Sequence, residues 1–106
     1  MAQVIVDPGV CGFTATIEAI SEDGMEVVLR VESDCPAISA MMDELGESFN
    51  AFQLVFAQPG TNLLYEFACD NFPQHGACVT IAGITKAVEV ACNLALPTNA
   101  SITFVG

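Results

Sequence analysis

Phe13-Thr14-Ala15-Thr16-Ile17-Glu18-Ala19-Ile20-Ser21-Glu22-Asp23-Gly24-Met25-Glu26-Val27-Val28-Leu29-Arg30-Val31-Glu32 is the stretch on which the fold turns. Phe13, Ala15, Ile17 and Ala19 alternate with Thr14, Thr16 and Glu18. After the turn, Met25, Val27, Leu29 and Val31 alternate with Glu26, Arg30 and Glu32. A period of two belongs to a strand with one buried and one wet face. Glu22-Asp23-Gly24 supplies a tight turn between the runs, so the pair reads as an antiparallel hairpin.

Upstream, Gln3 to Val6 is a short first strand cut off by Asp7-Pro8-Gly9. Downstream, Pro36 marks a helix start, because the N-H it lacks has no partner at that position anyway. Ile38, Met41, Met42 and Leu45 recur at helical spacing, with Met41-Met42 read as core packing, and Gly46 closes the element. Ser48 to Ala57 fits a helix through Phe49, Phe52, Val55 and Phe56, and fits a strand through Phe52-Gln53-Leu54-Val55-Phe56. Gln58-Pro59-Gly60 ends it either way. Thr61 is placed to cap a third short helix running to about Asp70 and burying Leu64, Tyr65 and Ala68. Asn71 to Ala77 is a long irregular connection, the kind of segment on which ligands tend to sit. The longest helix opens near Thr80 and runs to about Ala95, and after Pro97-Thr98-Asn99 the run Ile102 to Val105 reads as a closing edge strand. The expected fold class is α+β over one domain, residues 1–106. It is a three-stranded antiparallel sheet, plus a C-terminal strand, followed by and packed against three to four helices.

At 106 residues and 53% hydrophobic composition the chain carries enough apolar surface for one core and far too much for a disordered segment. Thirteen acidic residues face only Arg30 and Lys86, for a formal net charge of -11. Such a surface repels phosphate backbones and anionic lipid, which argues against nucleic acid and membrane as partners; the acidity either keeps an apolar domain soluble or presents a negative face to a basic protein partner. Met1 to Val10 has no basic region ahead of an apolar stretch, and Ile81 to Leu96 is interrupted by Lys86 and Glu89. The first is therefore no signal peptide and the second no membrane span. The expected compartment is cytoplasmic, where thiols stay reduced and clustered cysteines serve as ligands or reactive groups more often than as disulfides.

Four of the five cysteines lie where the chain changes direction. Cys35, in Ser33-Asp34-Cys35-Pro36, stands at a helix start. There the positive end of the macrodipole favours the thiolate that binds metals. Packing alone gives a cysteine no reason to occupy a cap position, and Asp34 or Ser33 would cap better. Cys11 lies at the mouth of the second strand, and its alternative reading is a small buried apolar residue. Cys69-x5-His75-x2-Cys78 is the densest cluster, soft sulfur plus one imidazole, suited to zinc or an iron-sulfur cluster. Its spacing is not that of a zinc finger, and a solvated His75 is the plainer alternative. Cys92 is expected mid-helix on the apolar side, as core.

Val10-Cys11-Gly12 entering a hairpin, Val31 to Ser39 turning into a helix through Cys35-Pro36, and His75-Gly76-Ala77-Cys78 ahead of Ile84-Thr85-Lys86-Ala87-Val88 together resemble the iron-sulfur cluster assembly scaffold family of the NifU N-terminal (IscU-like) type. The likeness covers about residues 3 to 95, and its motifs are short. It implies three strands followed by helices and a [2Fe-2S] cluster on three cysteines and a histidine, carried over as Cys11, Cys35, Cys78 and His75. More narrowly, the Cys-Gly-Phe and Ser-Asp-Cys-Pro pair resembles a small uncharacterised prokaryotic group. Phe13 stands where scaffolds place an aspartate associated with cluster release, which weakens a transfer role. The adjacent His-Cys pair of scaffolds is opened to His75-Gly76-Ala77-Cys78, their proline-rich chaperone-recognition stretch is missing, and Cys69 and the closing strand are additional.

The expected function is therefore metal or iron-sulfur cluster binding, with Cys11, Cys35, His75, Cys78 and Cys69 as ligands and a cluster or zinc as the cofactor. No catalytic residue is assigned. An enzyme-class alternative makes Cys35 or Cys78 a thiol that carries sulfur or persulfide. A third reading is an interaction domain without metal, in which all five thiols pack.

Overall fold

The computed structural model describes residues 1–106. The elements follow one another as β1 (Ala2–Val6), β2 (Ala15–Ile20), β3 (Glu26–Ser33), α1 (Pro36–Leu45), β4 (Ser48–Asn50), α2 (Ala51–Val55), α3 (Leu63–Asn71) and α4 (Thr80–Ala91). The strands form one antiparallel sheet in the order β1-β2-β3-β4. The fold is α+β, as the sequence indicates.

The hairpin is in register with Ala15 opposite Ser33, Ile17 opposite Val31 and Ala19 opposite Leu29. Side chains hold its turn closed. Asp23 Oδ1 accepts hydrogen bonds from the N-H groups of Met25 and Glu26, each at 2.9 Å. Ser21 Oγ accepts from Gly24 N at 3.0 Å and donates to Glu26 O at 2.7 Å. These bonds take Met25 out of the strand and leave it exposed. Phe13 falls outside β2 for a similar local reason. Gly12 adopts a positive φ of 73° and its carbonyl accepts from Thr14 N, so regular pairing starts only at Ala15.

Ala15, Ile17 and Ala19 of β2 and Val27 and Leu29 of β3 form the floor of the core, and Ile81, Ile84, Ala87 and Val88 of α4 cover it. The alanines of β2 let α4 approach closely. At Gly83 a Cβ would lie well inside van der Waals contact of Val6 Cγ2, with Val6 Cβ at 3.6 Å and Ile17 Cδ1 at 3.7 Å. Ile38 and Met41 of α1, Phe49 of β4, Leu54 of α2 and Leu64 of α3 complete the same cluster. Each fully buried side chain of this kind contributes about 1.5–3 kcal/mol relative to an exposed one.

Further boundaries differ from the sequence reading. Ser48 to Ala57 is strand and then helix, because Asn50 ends β4 and caps α2, its side chain accepting from Phe52 N. That short strand is the fourth strand of the sheet, with Val27 opposite Phe49. The expected closing strand, Ile102 to Val105, does not form, and residues 93–106 are exposed and outside any helix or strand. α4 stops at Ala91 rather than about Ala95, since Asn93 adopts φ 60°, the left-handed conformation that ends helices. Cys92 is thus the C-cap of α4, not a mid-helix residue, although it is buried in the core as expected.

Asn62, not Thr61, caps α3. It is buried and uses its whole amide: Oδ1 accepts from Leu64 N at 3.0 Å and Tyr65 N at 3.1 Å, while Nδ2 donates to Leu54 O and to Thr85 Oγ1, each at 3.1 Å. One side chain therefore fixes α3 against both α2 and α4. No helix is long and apolar enough to cross a membrane.

Candidate metal and thiol site

The register places three thiols at one end of the sheet. Val6, Ala15 and Ser33 are lateral neighbours, so β1 and β3 leave the sheet where β2 enters it. Cys11 lies in the loop after Val6, and Cys35 lies two residues beyond Ser33. α4 crosses β1 and β2 with Gly83 on Val6, which sets its first turn over the same end. Cys78 lies two residues before that turn. The other end of α4 lies at the β2–β3 turn, where the Cys92 carbonyl is the nearest neighbour of Gly24.

Cys11 sits in a tight loop. Gly9 N donates to Asp7 Oδ1 at 3.1 Å and Gly12 N to Gly9 O at 3.0 Å. The thiol is exposed, which removes the reading of Cys11 as a packed core residue. Cys35 is the N-cap of α1, as its sequence context indicates, and its side chain makes no capping bond. Ser33 shapes this corner instead. Its Oγ accepts from Cys35 N at 3.1 Å, and its carbonyl accepts from Ser39 Oγ at 3.0 Å. Cys35 is half-buried and packs in part against the core, and its sulfur makes no side-chain hydrogen bond.

Cys69, His75 and Cys78 line one open hollow of about 500 Å³, together with Tyr65, Ala68 and Phe72. α3 supplies Tyr65, Ala68 and Cys69 at i, i+3 and i+4, the spacing that puts side chains on one helix face. Phe72 packs edge-on against Phe67 at 6.4 Å between ring centroids and turns the chain out of α3 into the loop. His75 O accepts from Cys78 N at 3.4 Å, closing the loop just before α4.

Tyr65 is the residue the sequence reading assigned to the core. It is half-buried, packing against the core as that reading expects and also lining the hollow. Burial raises its phenol above the ordinary value of 10.0, and the charge of Cys78 raises it further. The signal was present in its spacing to Cys69, but an aromatic at that spacing also fits a plain core face.

The structure thus joins Cys69, His75 and Cys78 in one hollow and leaves Cys11 and Cys35 outside its lining, at the same end of the sheet. All five cysteines are free thiols. As the chain is arranged, no three His, Cys, Asp or Glu side chains stand close enough to hold one ion.

A four-stranded α+β domain that gathers unpaired thiols and one imidazole at the end of its sheet is the class of protein these features define. The chain belongs to a family of unknown function (DUF6951), whose model matches residues 2–104. No curated protein and no solved structure matches it.

Proposed function

We propose that the protein binds a soft metal, as zinc or as an iron-sulfur cluster, at the end of the sheet where the α3–α4 loop lies. The observation that carries this reading is the shared hollow of Cys69, His75 and Cys78. Two thiols and an imidazole facing one space are the donor set such metals take. Cys35, whose sulfur is free at the N-terminus of α1, and Cys11 supply further thiolates from the same side, the arrangement implied by the resemblance to iron-sulfur scaffolds. Binding requires the loop from Phe72 to Val79 to draw inwards. That loop has no regular structure and little internal hydrogen bonding to give up.

Anaerobic expression followed by metal analysis and visible absorption tests this reading. Protein made with iron and sulfide is expected to show a thiolate-to-iron absorption band, or to carry stoichiometric zinc, and to lose it in Cys78→Ala and Cys35→Ala. Protein that carries neither, and in which those substitutions change nothing, would refute it.

One observation favours a second reading, in which Cys78 carries sulfur. The Cys78 thiolate would attack the terminal sulfur of a donor persulfide, form its own S–S bond and release the donor as a thiolate. His75 lines the same hollow, and an imidazolium beside a thiol favours its thiolate. In metal-free protein such a thiol alkylates fast and alone, whereas metal ligands are protected together by the bound ion.

A further inference from the structure

β1 is an unguarded edge. It pairs only with β2, and Ala2-Gln3-Val4-Ile5-Val6 has no proline, lysine or arginine to discourage another strand. Ile5 is 74% exposed on it. The opposite edge is the three-residue β4 and, beyond it, the outer side of β3, where Leu29 N already donates to Glu47 O and Ser33 O accepts from Ser39 Oγ. The same chain carries an unpaired segment of strand-forming sequence. Ser101-Ile102-Thr103-Phe104-Val105 matches β1 in length, and Ile102, Phe104 and Val105 are 79%, 93% and 95% exposed. Residues 102–106 make no backbone hydrogen bond.

We propose that Ser101–Val105 of a second copy of this chain adds to β1 as a fifth strand, and that two copies exchange these arms reciprocally. The arm leaves α4 beside the β2–β3 turn, the end of the sheet at which β1 begins with Ala2 opposite Ala19. Every residue from Asn93 onward is exposed, so the arm is not seated on its own domain. Pro97 stiffens it, and the nine residues from Asn93 to Ser101 span up to about 30 Å when extended. That reach compares with a shortest molecular dimension of 25 Å and suffices to cross to a neighbour. Reciprocal exchange covers both β1 edges and uses up both arms, so the exchange closes as a two-fold dimer rather than propagating from copy to copy. Pairing supplies partners for the free N-H and C=O groups of β1 and covers the exposed side chains of the arm.

Analytical ultracentrifugation of the full chain, with reductant and chelator present so that neither a disulfide nor a shared metal joins the copies, tests this. Wild type is expected to sediment as a dimer. Phe104→Asp on the arm and Ile5→Lys on the edge, both at exposed positions, are each expected to raise its dissociation constant by roughly 30-fold or more, the scale for losing an interface anchor. Circular dichroism of both variants should remain that of the folded monomer. Hydrogen exchange then identifies the pairing, with the amides of Ser101–Val105 slowed in the wild-type dimer and fast in Ile5→Lys. A wild type that stays monomeric overturns the proposal, whether its arm amides are protected by its own β1 or not. So does an oligomer that survives both substitutions, or one that grows without limit.

Discussion

Removing the amide of Asn62 should loosen the whole wall of the hollow that α3 provides. In Asn62→Ala the N-cap of α3 is lost, a change that costs about 1 kcal/mol. Leu54 O, next to a buried side chain, loses its partner as well, and a stranded buried acceptor costs about 1–3 kcal/mol more. The Thr85 hydroxyl still donates to Ile81 O and adds little. The total is about 3 kcal/mol, which for a domain of this size lowers the melting temperature by at least about 12 °C. Two further variants divide the sum. Asn62→Ser retains a capping oxygen and gives up the two donors, and should cost about 2 kcal/mol. Asn62→Asp also retains the cap but sets a buried carboxylate against Leu54 O, and should be at least as damaging as alanine. Urea unfolding followed by circular dichroism gives the ordering. If Asn62→Ala costs under about 0.5 kcal/mol, the size of a surface substitution, Asn62 is not the tie between α2, α3 and α4 described above.

Gly83→Ala should destabilise by about 1 kcal/mol, since overpacking against Val6 costs about 1–3 and the gain in helix propensity returns about 1. Val6→Ala alone should cost about 2 kcal/mol, and the double variant markedly less than the sum; additive costs would mean that α4 does not rest on Val6 at Gly83. Asp23 is held below its ordinary value of 3.8 by the backbone N-H groups of Glu26 and Met25. Its contribution to the turn is full above the unfolded carboxyl value and lost as pH falls through the folded one, so the stability gap between wild type and Asp23→Ala in urea unfolding should narrow below 3.8 and be unchanged between pH 5 and 7. Tyr65 is the only tyrosine, and there is no tryptophan, so tyrosinate absorbance reports on this residue alone. Its midpoint should lie above 10.0 and fall part of the way back in Cys78→Ala, burial being the larger cause; the neutral phenol stabilises the fold below 10.0 and that contribution is lost as pH rises through the folded value.

The hairpin was legible because its period of two persists on both sides of a turn whose residues have one local use. The start of α1 was legible for a similar reason, since Cys35-Pro36 fixes both a cap position and a backbone angle. Ser48–Asn50 was obscured because three residues are too few to show a period, and the aromatics of the next turn fit either element. Thr61 and Asn62 are adjacent capping residues, and only the tertiary contacts to Leu54 and Thr85 select the second. Ile102 to Val105 carries real strand propensity, but propensity does not say whether an edge is within reach. Of the site, the loop cluster Cys69, His75 and Cys78 was visible through its spacing, and the exposure of Cys11 and the orientation of Tyr65 were not. Those depend on the turn at Gly9 and Gly12 and on how α3 is rotated by Asn62.

The thiols themselves decide whether this end of the sheet is a metal site. Reduced protein is alkylated with and without one equivalent of zinc, and modification of each cysteine is followed by mass spectrometry. Zinc should slow Cys78 together with at least two of Cys69, Cys35 and Cys11, while buried Cys92 stays slow in both samples and the Tyr65 fluorescence change saturates at one ion per chain. Four exposed or half-buried thiols that react at the same rates in both samples, with Tyr65 unmoved, would contradict it.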